Sequence, residues 1–354
     1  MSPWPASPEP FRLEPIFSPR IWGSRSLAPL FPEKTNLKEP LGEAWLTGLD
    51  CKVASGPFAG KTLGAAWKEL PESWRGEWLS DCEDFPILVK FIFPRDKLSI
   101  QVHPDDAYAA AHEQAAGGRG KTEMWHVVSA EPGAQVFVGL KRGTDKRQFQ
   151  DSLTNHRVQE LFQSHAVHAG DTFFIPAGTP HTIGPGMILC EVQEYSDLTY
   201  RVYDYGRVDA SGKSRELHIH KALDVMNFGH VAGGKIVPVV LHRKQWMRTL
   251  LCACRYFAAE RWEISASCES RADGQCFSLL TVLSGAGKLD WESGAADYNS
   301  GQCWFVPAAM TTVSIQPKHA TVFLRAYVPD IAGLRSELKR EGVQELEISH
   351  IVFD

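Results

Sequence analysis

The sequence predicts a mainly β protein assembled from two copies of one barrel-forming unit, with a few helices laid on its sheets. Three observations carry this expectation. Short β-branched or aromatic runs recur along the chain, each bounded by Gly, Pro or Asp. Gly170-Asp-Thr-Phe-Phe-Ile-Pro176-Ala-Gly178-Thr-Pro-His181 aligns without a gap on Gly301-Gln-Cys-Trp-Phe-Val-Pro307-Ala-Ala309-Met-Thr-Thr312. Helical spacing, by contrast, is confined to a few segments.

The elements follow in chain order. FPILVKFIF (85–93), KLSIQVHP (97–104), EMWHVVS (123–129), AQVFVGL (134–140) and DTFFIPAG (171–178) read as strands. About 105–117, an Ala-rich stretch opened by Asp105 and Asp106 reads as a helix, as does 145–165, with apolar residues three and four apart. A third helix is expected over 331–342, after Pro329. In each repeat copy a Gly-containing turn leads into an apolar strand; a Pro ends it, and a small residue lets the chain reverse so that the last side chain points into a barrel. That side chain is His181 in the first copy and Thr312 in the second. The expected division is a working N-terminal domain, 1–225, and a degenerate, metal-free C-terminal domain, 226–354.

Composition narrows the function classes. The chain has 354 residues, about two domains' worth at ~150 residues each. With 44% hydrophobic and 22% charged residues it is a folded globular chain. A net charge of −5 supplies no field for a polyanion, so nucleic acid is not an expected partner. No stretch reaches the ~18 apolar residues of a membrane span, and the opening MSPWPASPEPFRLEPIF lacks the basic and apolar regions of a signal peptide. A cytoplasmic protein is expected, a monomer or weak homo-oligomer. Its eight Cys show no regular framework and read as reduced thiols, the Cys252-x-Cys254 pair included.

Candidate ligands come from separate strands. Ser99, Gln101 and His103 alternate onto one strand face, Glu123 opens the next β-rich run, and His181 ends the first repeat copy. Two imidazole nitrogens and two side-chain oxygens without thiolate suit Zn²⁺ and are tolerable to Mn²⁺, Co²⁺ or Fe²⁺. Hydrogen-bonded core residues would be the bland use of the same side chains. His126, His165 and His168 are set aside as facing elsewhere. His218-x-His220 has the spacing of a strand pair but is read as part of the connection between domains.

The repeat resembles the second motif of the cupin family, at Gly170, Pro176, Gly178 and His181. Pro185 stands where an Asn is often found. The resemblance implies a bicupin: two double-stranded β-helix, or jelly-roll, barrels. The runs Leu98–Asp106, Gly120–Trp125, Pro176–His181 and Glu191–Arg201, in that order, resemble type I mannose-6-phosphate isomerases from about Trp22 to Ala222. Only 57 residues separate Glu123 from His181, as in the short bacterial branch without a helical insert. The resemblance implies one Zn²⁺ per chain on Gln101, His103, Glu123 and His181, an active-site arginine at Arg201 and a sugar phosphate as substrate.

Aldose–ketose isomerisation needs an electrophile for a developing oxyanion, a base near two adjacent carbons and an anchor for the remote phosphate. Lys121, two before Glu123, is a candidate to polarise a sugar oxygen or assist ring opening; a solvated lysine is its bland alternative. Arg201 is a candidate for phosphate or enediolate, with a salt bridge to Asp197 as the alternative. Glu191 is the candidate base, and Ser99 a candidate phosphate or hydroxyl contact. The rival readings are an iron-dependent bicupin oxidoreductase and a non-catalytic sugar-binding cupin.

Overall fold

A computed structural model describes residues 7–208, 211–228, 233–242 and 246–353. Two seven-stranded antiparallel sheets lie back to back, and each is closed on its other side by a smaller sheet. The first large sheet runs in the order Gly234–Ile236, Thr172–Ile175, Glu123–Ala130, Met187–Glu194, Ile87–Ile92, Leu41–Trp45, Ile16–Ser24. The second runs Phe11–Leu13, Cys303–Val306, Ser278–Ser284, Thr321–Tyr327, Ala258–Ile264, Trp246–Ala253, Val239–His242. A five-stranded sheet (Tyr200–Tyr203, Ile100–Val102, His181–Ile183, Gln135–Leu140, Phe162–Ala166) closes the first barrel. A four-stranded sheet (Cys268–Ser270, Val313–Pro317, Ala286–Trp291, Gly294–Asn299) closes the second. This is the mainly β, two-barrel architecture the repeat implies.

Strand alternation sorts the core into layers. On Met187–Glu194, Leu189 points into the first barrel, while Cys190 and Val192 point into the layer between the large sheets. That layer also holds Phe91, Phe174, Leu279, Phe305 and Leu324. Burial at roughly 25 cal/mol per Å² makes this apolar layer the main tie between the barrels. Cys252 and Cys254 sit in it as free thiols, raised above the ordinary cysteine range by burial.

The barrels exchange edges. Phe11–Leu13, from the start of the chain, pairs with Cys303–Phe305 of the second barrel, and Phe11 stacks on Phe305 at 4.6 Å between ring centroids. Gly234–Ile236, from the second half, completes the first barrel's sheet on Thr172–Phe174, and Phe353 stacks on Phe174 at 4.0 Å. A cut between 225 and 226 therefore does not separate the sheets.

The repeat has the backbone its chemistry requires. Gly170 and Gly301, at φ +91° and +82°, make equivalent left-handed turns before their strands. Gly178, at φ +80°, has room for no Cβ, because Val225 O would lie 2.9 Å away. Its N–H donates to His103 O at 2.8 Å, tying the repeat to the strand that carries the ligands.

Three helical expectations meet the structure differently. Asp105 caps Asp106–His112, accepting from Tyr108 N, and a short 3₁₀ turn, Gln114–Ala116, follows. Ile331–Arg340 forms behind its Asp330 cap. The stretch 145–165 is not one helix: Lys146–Thr154, held by an Asp145–Gln148 capping box, stops before His156 at φ +57°. A 3₁₀ turn then leads into the strand Phe162–Ala166, so His165 lies on a strand rather than a helix end. His218 and His220 are likewise not on a strand, since His218 precedes the helix Ile219–Val225. Among the described residues no helix is long and apolar enough to cross a membrane.

Candidate metal centre and substrate cleft

The strand register brings the ligands together. His181 lies opposite Gln101, and Gln101 opposite Arg201, so the three stand in one row across neighbouring strands of the five-stranded sheet. Glu123 enters from the large sheet on the other side of the barrel. His103 Nε2 is 3.2 Å from Glu123 Oε1, and His181 Nε2 is 3.6 Å from Glu123 Oε2. Their ligand atoms all lie within 4.8 Å of one another. Gln101 Nε2 is 3.2 Å from His181 Nε2, and turning the amide over puts its Oε1 at the same place.

The donor set fits a divalent cation. His103 Nδ1 donates to Leu198 O at 2.8 Å and His181 Nδ1 to Thr179 O at 2.9 Å, which leaves both Nε2 atoms as acceptors facing one carboxylate. Glu123 Oε2 is buried without a hydrogen-bond partner, an orphaned acceptor that a cation would satisfy. Burial, with the Lys121 ammonium beside it, pushes His103 down to about 3, and burial lowers His181 as well, so both imidazoles are neutral ligands at neutral pH. Burial alone would raise Glu123, but the Lys121 ammonium holds its carboxyl well below the usual range. Lys121 Nζ donates to Glu123 Oε1 and lies 3.3 Å from His103 Nε2, so it is a buried ion pair rather than a solvated lysine.

A cleft of about 480 Å³ opens beside this centre and takes in Ser99, Gln101, Lys121, Glu191 and Arg201. Glu191 is buried, with Oε2 accepting from Trp125 Nε1 at 2.9 Å and Oε1 2.9 Å from Lys90 Nζ. Burial and the Glu123 charge raise it above the ordinary carboxyl value despite Lys90. Arg201 donates through Nη1 to Glu216 O at 3.0 Å, its Nε has no acceptor, and no carboxylate pairs with it among the described residues, Asp197 included. Its positive neighbours are Arg20 and Arg215, which also line the cleft. The lining carries Arg20, Lys90, Lys121, Arg201 and Arg215 against Glu43, Glu191 and Asp197, an excess of positive charge suited to an anionic substrate.

Sequence reading missed Lys90, which lies 2.9 Å from Glu191 and 4.0 Å from Glu43 at the floor of the cleft. The signal was present: a single charge in ILVKFI, a strand buried on both faces, has to meet carboxylates inside. Arg20 and Arg215 come from the N-terminal strand pair and from the segment after Arg201, far from any motif. His126 faces away, with Nδ1 3.1 Å from Thr172 Oγ1.

Comparison with known proteins gives the family. Residues 10–127 match the catalytic domain of type I phosphomannose isomerase, and residues 247–324 match the mannose-6-phosphate isomerase cupin domain. Mannose-6-phosphate isomerase ManA of Bacillus subtilis is 34% identical over 288 residues, covering 79% of this chain and 87% of that protein. Mannose-6-phosphate isomerase of Streptococcus mutans serotype c is 34% identical over 285 residues, with 79% and 87% covered. The crystal structure of the Bacillus subtilis mannose 6-phosphate isomerase superposes with a TM-score of 0.81 at 30% identity, over 90% of this chain and 99% of that one. At 34% identity over 79% of its length, and with its N-terminal third matching the type I catalytic domain, the chain belongs to the type I mannose-6-phosphate isomerase family.

Proposed function

We infer that this chain interconverts mannose 6-phosphate and fructose 6-phosphate through an enediol, with Zn²⁺ held by Gln101, His103, Glu123 and His181. One observation carries the reading: a thiol-free set of convergent donors opens directly onto a cleft rich in positive charge. A divalent cation there supplies Lewis-acid polarisation of the sugar's carbonyl and hydroxyl oxygens. Nitrogen and oxygen donors without sulfur favour zinc among the metals this set tolerates.

The chain's own residues supply the rest. Glu191, raised by burial and fixed by Lys90 and Trp125, takes the proton from C2 of the open-chain sugar and returns it to C1. Lys121 serves the sugar oxygens from beside Glu123. Arg201, free of a carboxylate partner, stabilises the enediolate, and Ser99 binds a hydroxyl or the phosphate. Catalysis belongs to residues 1–225, and the second barrel takes no part in the metal chemistry. The working form is a cytoplasmic monomer or weak homo-oligomer.

A coupled assay with mannose 6-phosphate, before and after chelation, tests this. Turnover abolished by chelator and restored by Zn²⁺ is expected. No turnover, or turnover indifferent to chelation, overturns it, while bound iron with oxygen uptake would favour the oxidoreductase reading.

A further inference from the structure

The second barrel repeats the ionic floor of the first with its charges inverted. In both large sheets the fourth and fifth strands carry a cross-strand pair at the same place: Glu191 opposite Lys90 in one, Arg325 opposite Glu260 in the other. The sixth strand adds Glu43 to Lys90 in the first barrel and Arg248 to Glu260 in the second. Each buried carboxylate also takes an indole N–H, from Trp125 to Glu191 at 2.9 Å and from Trp262 to Glu260 at 2.8 Å. In the first barrel a lysine lies between two carboxylates. In the second a carboxylate lies between two guanidiniums, with Arg248 Nη2 at 2.7 Å and Arg325 Nη1 at 3.5 Å.

Above this inverted floor lies a cavity of about 780 Å³, larger than the first barrel's cleft. Arg248, Arg271 and Arg325 line it; Arg248 Nη1 also donates to Glu337 at 2.6 Å and Arg325 Nε to Ser278 Oγ at 2.9 Å, whereas Arg271 has, among the described residues, only the exposed Glu269, 3.7 Å away, and keeps its fork for a ligand. Trp246 and Trp262 form one wall, their rings 4.5 Å apart and tilted by 55°. Trp262 is locked by its bond to Glu260. Arg248 is only 7% exposed and its Nε has no hydrogen-bond partner, an unsatisfied donor at the bottom of a polar cavity. None of the lining side chains is a histidine, and Glu269, the lone carboxylate, is exposed and tied to Arg271, so the cavity can hold a ligand without the groups that isomerise one.

We propose that this cavity of the C-terminal barrel binds a small sugar phosphate as a site separate from the catalytic cleft. Guanidinium forks match phosphate oxygens in pairs, which ammonium groups do not. Flat indole rings offer the apolar bed on which the C–H face of a pyranose rests, with Ser314 in the lining as a hydroxyl partner. The site goes beyond the isomerase reading and does not depend on it, because it shares no residue with the cleft of the first barrel.

Titration calorimetry on the full chain tests it, with mannose 1-phosphate, inorganic phosphate and mannose as probes. Mannose 1-phosphate has its anomeric carbon esterified and cannot be isomerised. One equivalent should bind the Arg201→Ala protein, whose catalytic cleft is crippled. The exposed Arg271→Ser and the rim variant Trp246→Ala should each weaken that binding by about tenfold or more. Arg271→Ser should also leave mannose 6-phosphate turnover unchanged. Inorganic phosphate and mannose should each bind at least about tenfold more weakly than the ester. Absence of binding at about millimolar ester overturns the proposal. So does binding that Arg201→Ala abolishes and Arg271→Ser spares, because the catalytic cleft is then the only site. Inorganic phosphate binding as tightly as the ester overturns the sugar part.

Discussion

The two barrels share strand order, turn backbone and even a buried ion cluster on the same strands, yet one surrounds its cluster with metal donors and the other with arginine and tryptophan. Gly170 and Gly301 make the same left-handed turn, and Pro176 and Pro307 end the same strand. What differs is a handful of side chains: Lys90 against Glu260, Glu191 against Arg325, and His181 against Thr312, which does not point into its barrel as the repeat predicts, because Val313 and Ile315 are the residues that face the interior there. The scaffold demands a backbone and a filled interior and is indifferent to the chemistry placed on it, so fold conservation and site conservation separate cleanly within one chain.

The comparison breaks most readily at the ligands. His103→Ala and His181→Ala should each strip the metal and lower turnover by on the order of a thousandfold or more, read by elemental analysis beside the coupled assay. Full metal content and normal turnover in both would dissolve the distinction between the barrels. The equivalent blow to the second barrel should be structural. Glu260→Ala takes from the buried Arg248 one of its two carboxylates, leaving Glu337, and from Arg325 its carboxylate partner, and should cost about 3–5 kcal/mol of stability, with turnover per folded molecule preserved.

The same variant has a pH signature. Burial opposes ionisation of Glu260, but Arg248 and Arg325 pull its carboxyl from 4.5 down to about 2. A folded-state value below the unfolded one contributes stability that is present above about 4.5 and lost as pH falls toward 2. Melting curves of wild type and Glu260→Ala should therefore approach each other on acidification; a constant gap would show that the carboxylate is not held by its charge.

Smaller effects sharpen the picture. Arg201→Lys should lower kcat about ten- to a hundredfold while KM changes little, since the guanidinium fork matters as charge develops in the transition state. Metal content should stay at the wild-type level, and a KM effect alone would move Arg201 to phosphate anchoring. Thr312→Ala, the counterpart of the His181 change, should alter stability by no more than about 0.5 kcal/mol and leave metal and turnover untouched. Loss of activity there would bring the second barrel into catalysis.

The parts legible in the sequence were those fixed by local patterns. Alternation put Gln101 and His103 on one face, and the repeat placed His181 at the mouth of a strand, because period and turn chemistry act over a few residues. Register across strands was not legible, and it is register that lines up Arg201, Gln101 and His181. The helix expected through 165 failed because pairing with Gln135–Leu140 outweighs the local spacing of Phe162–Ala166. At His218-x-His220 the strand-like spacing is incidental: as read, the segment is a hydrogen-bonded connection, and it starts a helix where His218 Nδ1 accepts the Arg201 N–H. Lys90 was overlooked because a lone lysine among apolar residues declares its partners only once the neighbouring strands are known.

The traded edges bear on how the molecule is made. During synthesis the first strand leaves the ribosome nearly three hundred residues before Cys303–Val306, its partner, exists; residues 52–55 can bond one of its edges early, but the other must wait unpaired. The first barrel likewise lacks an edge until Gly234–Ile236 has been translated and has Phe174 uncovered until Phe353 arrives. Such distant pairings are slow to close and leave aggregation-prone surface while they are open. Chains truncated at the ribosome should for this reason be chaperone clients rather than half-active enzymes, and a gene split between the barrels should yield two insoluble pieces unless both are produced together.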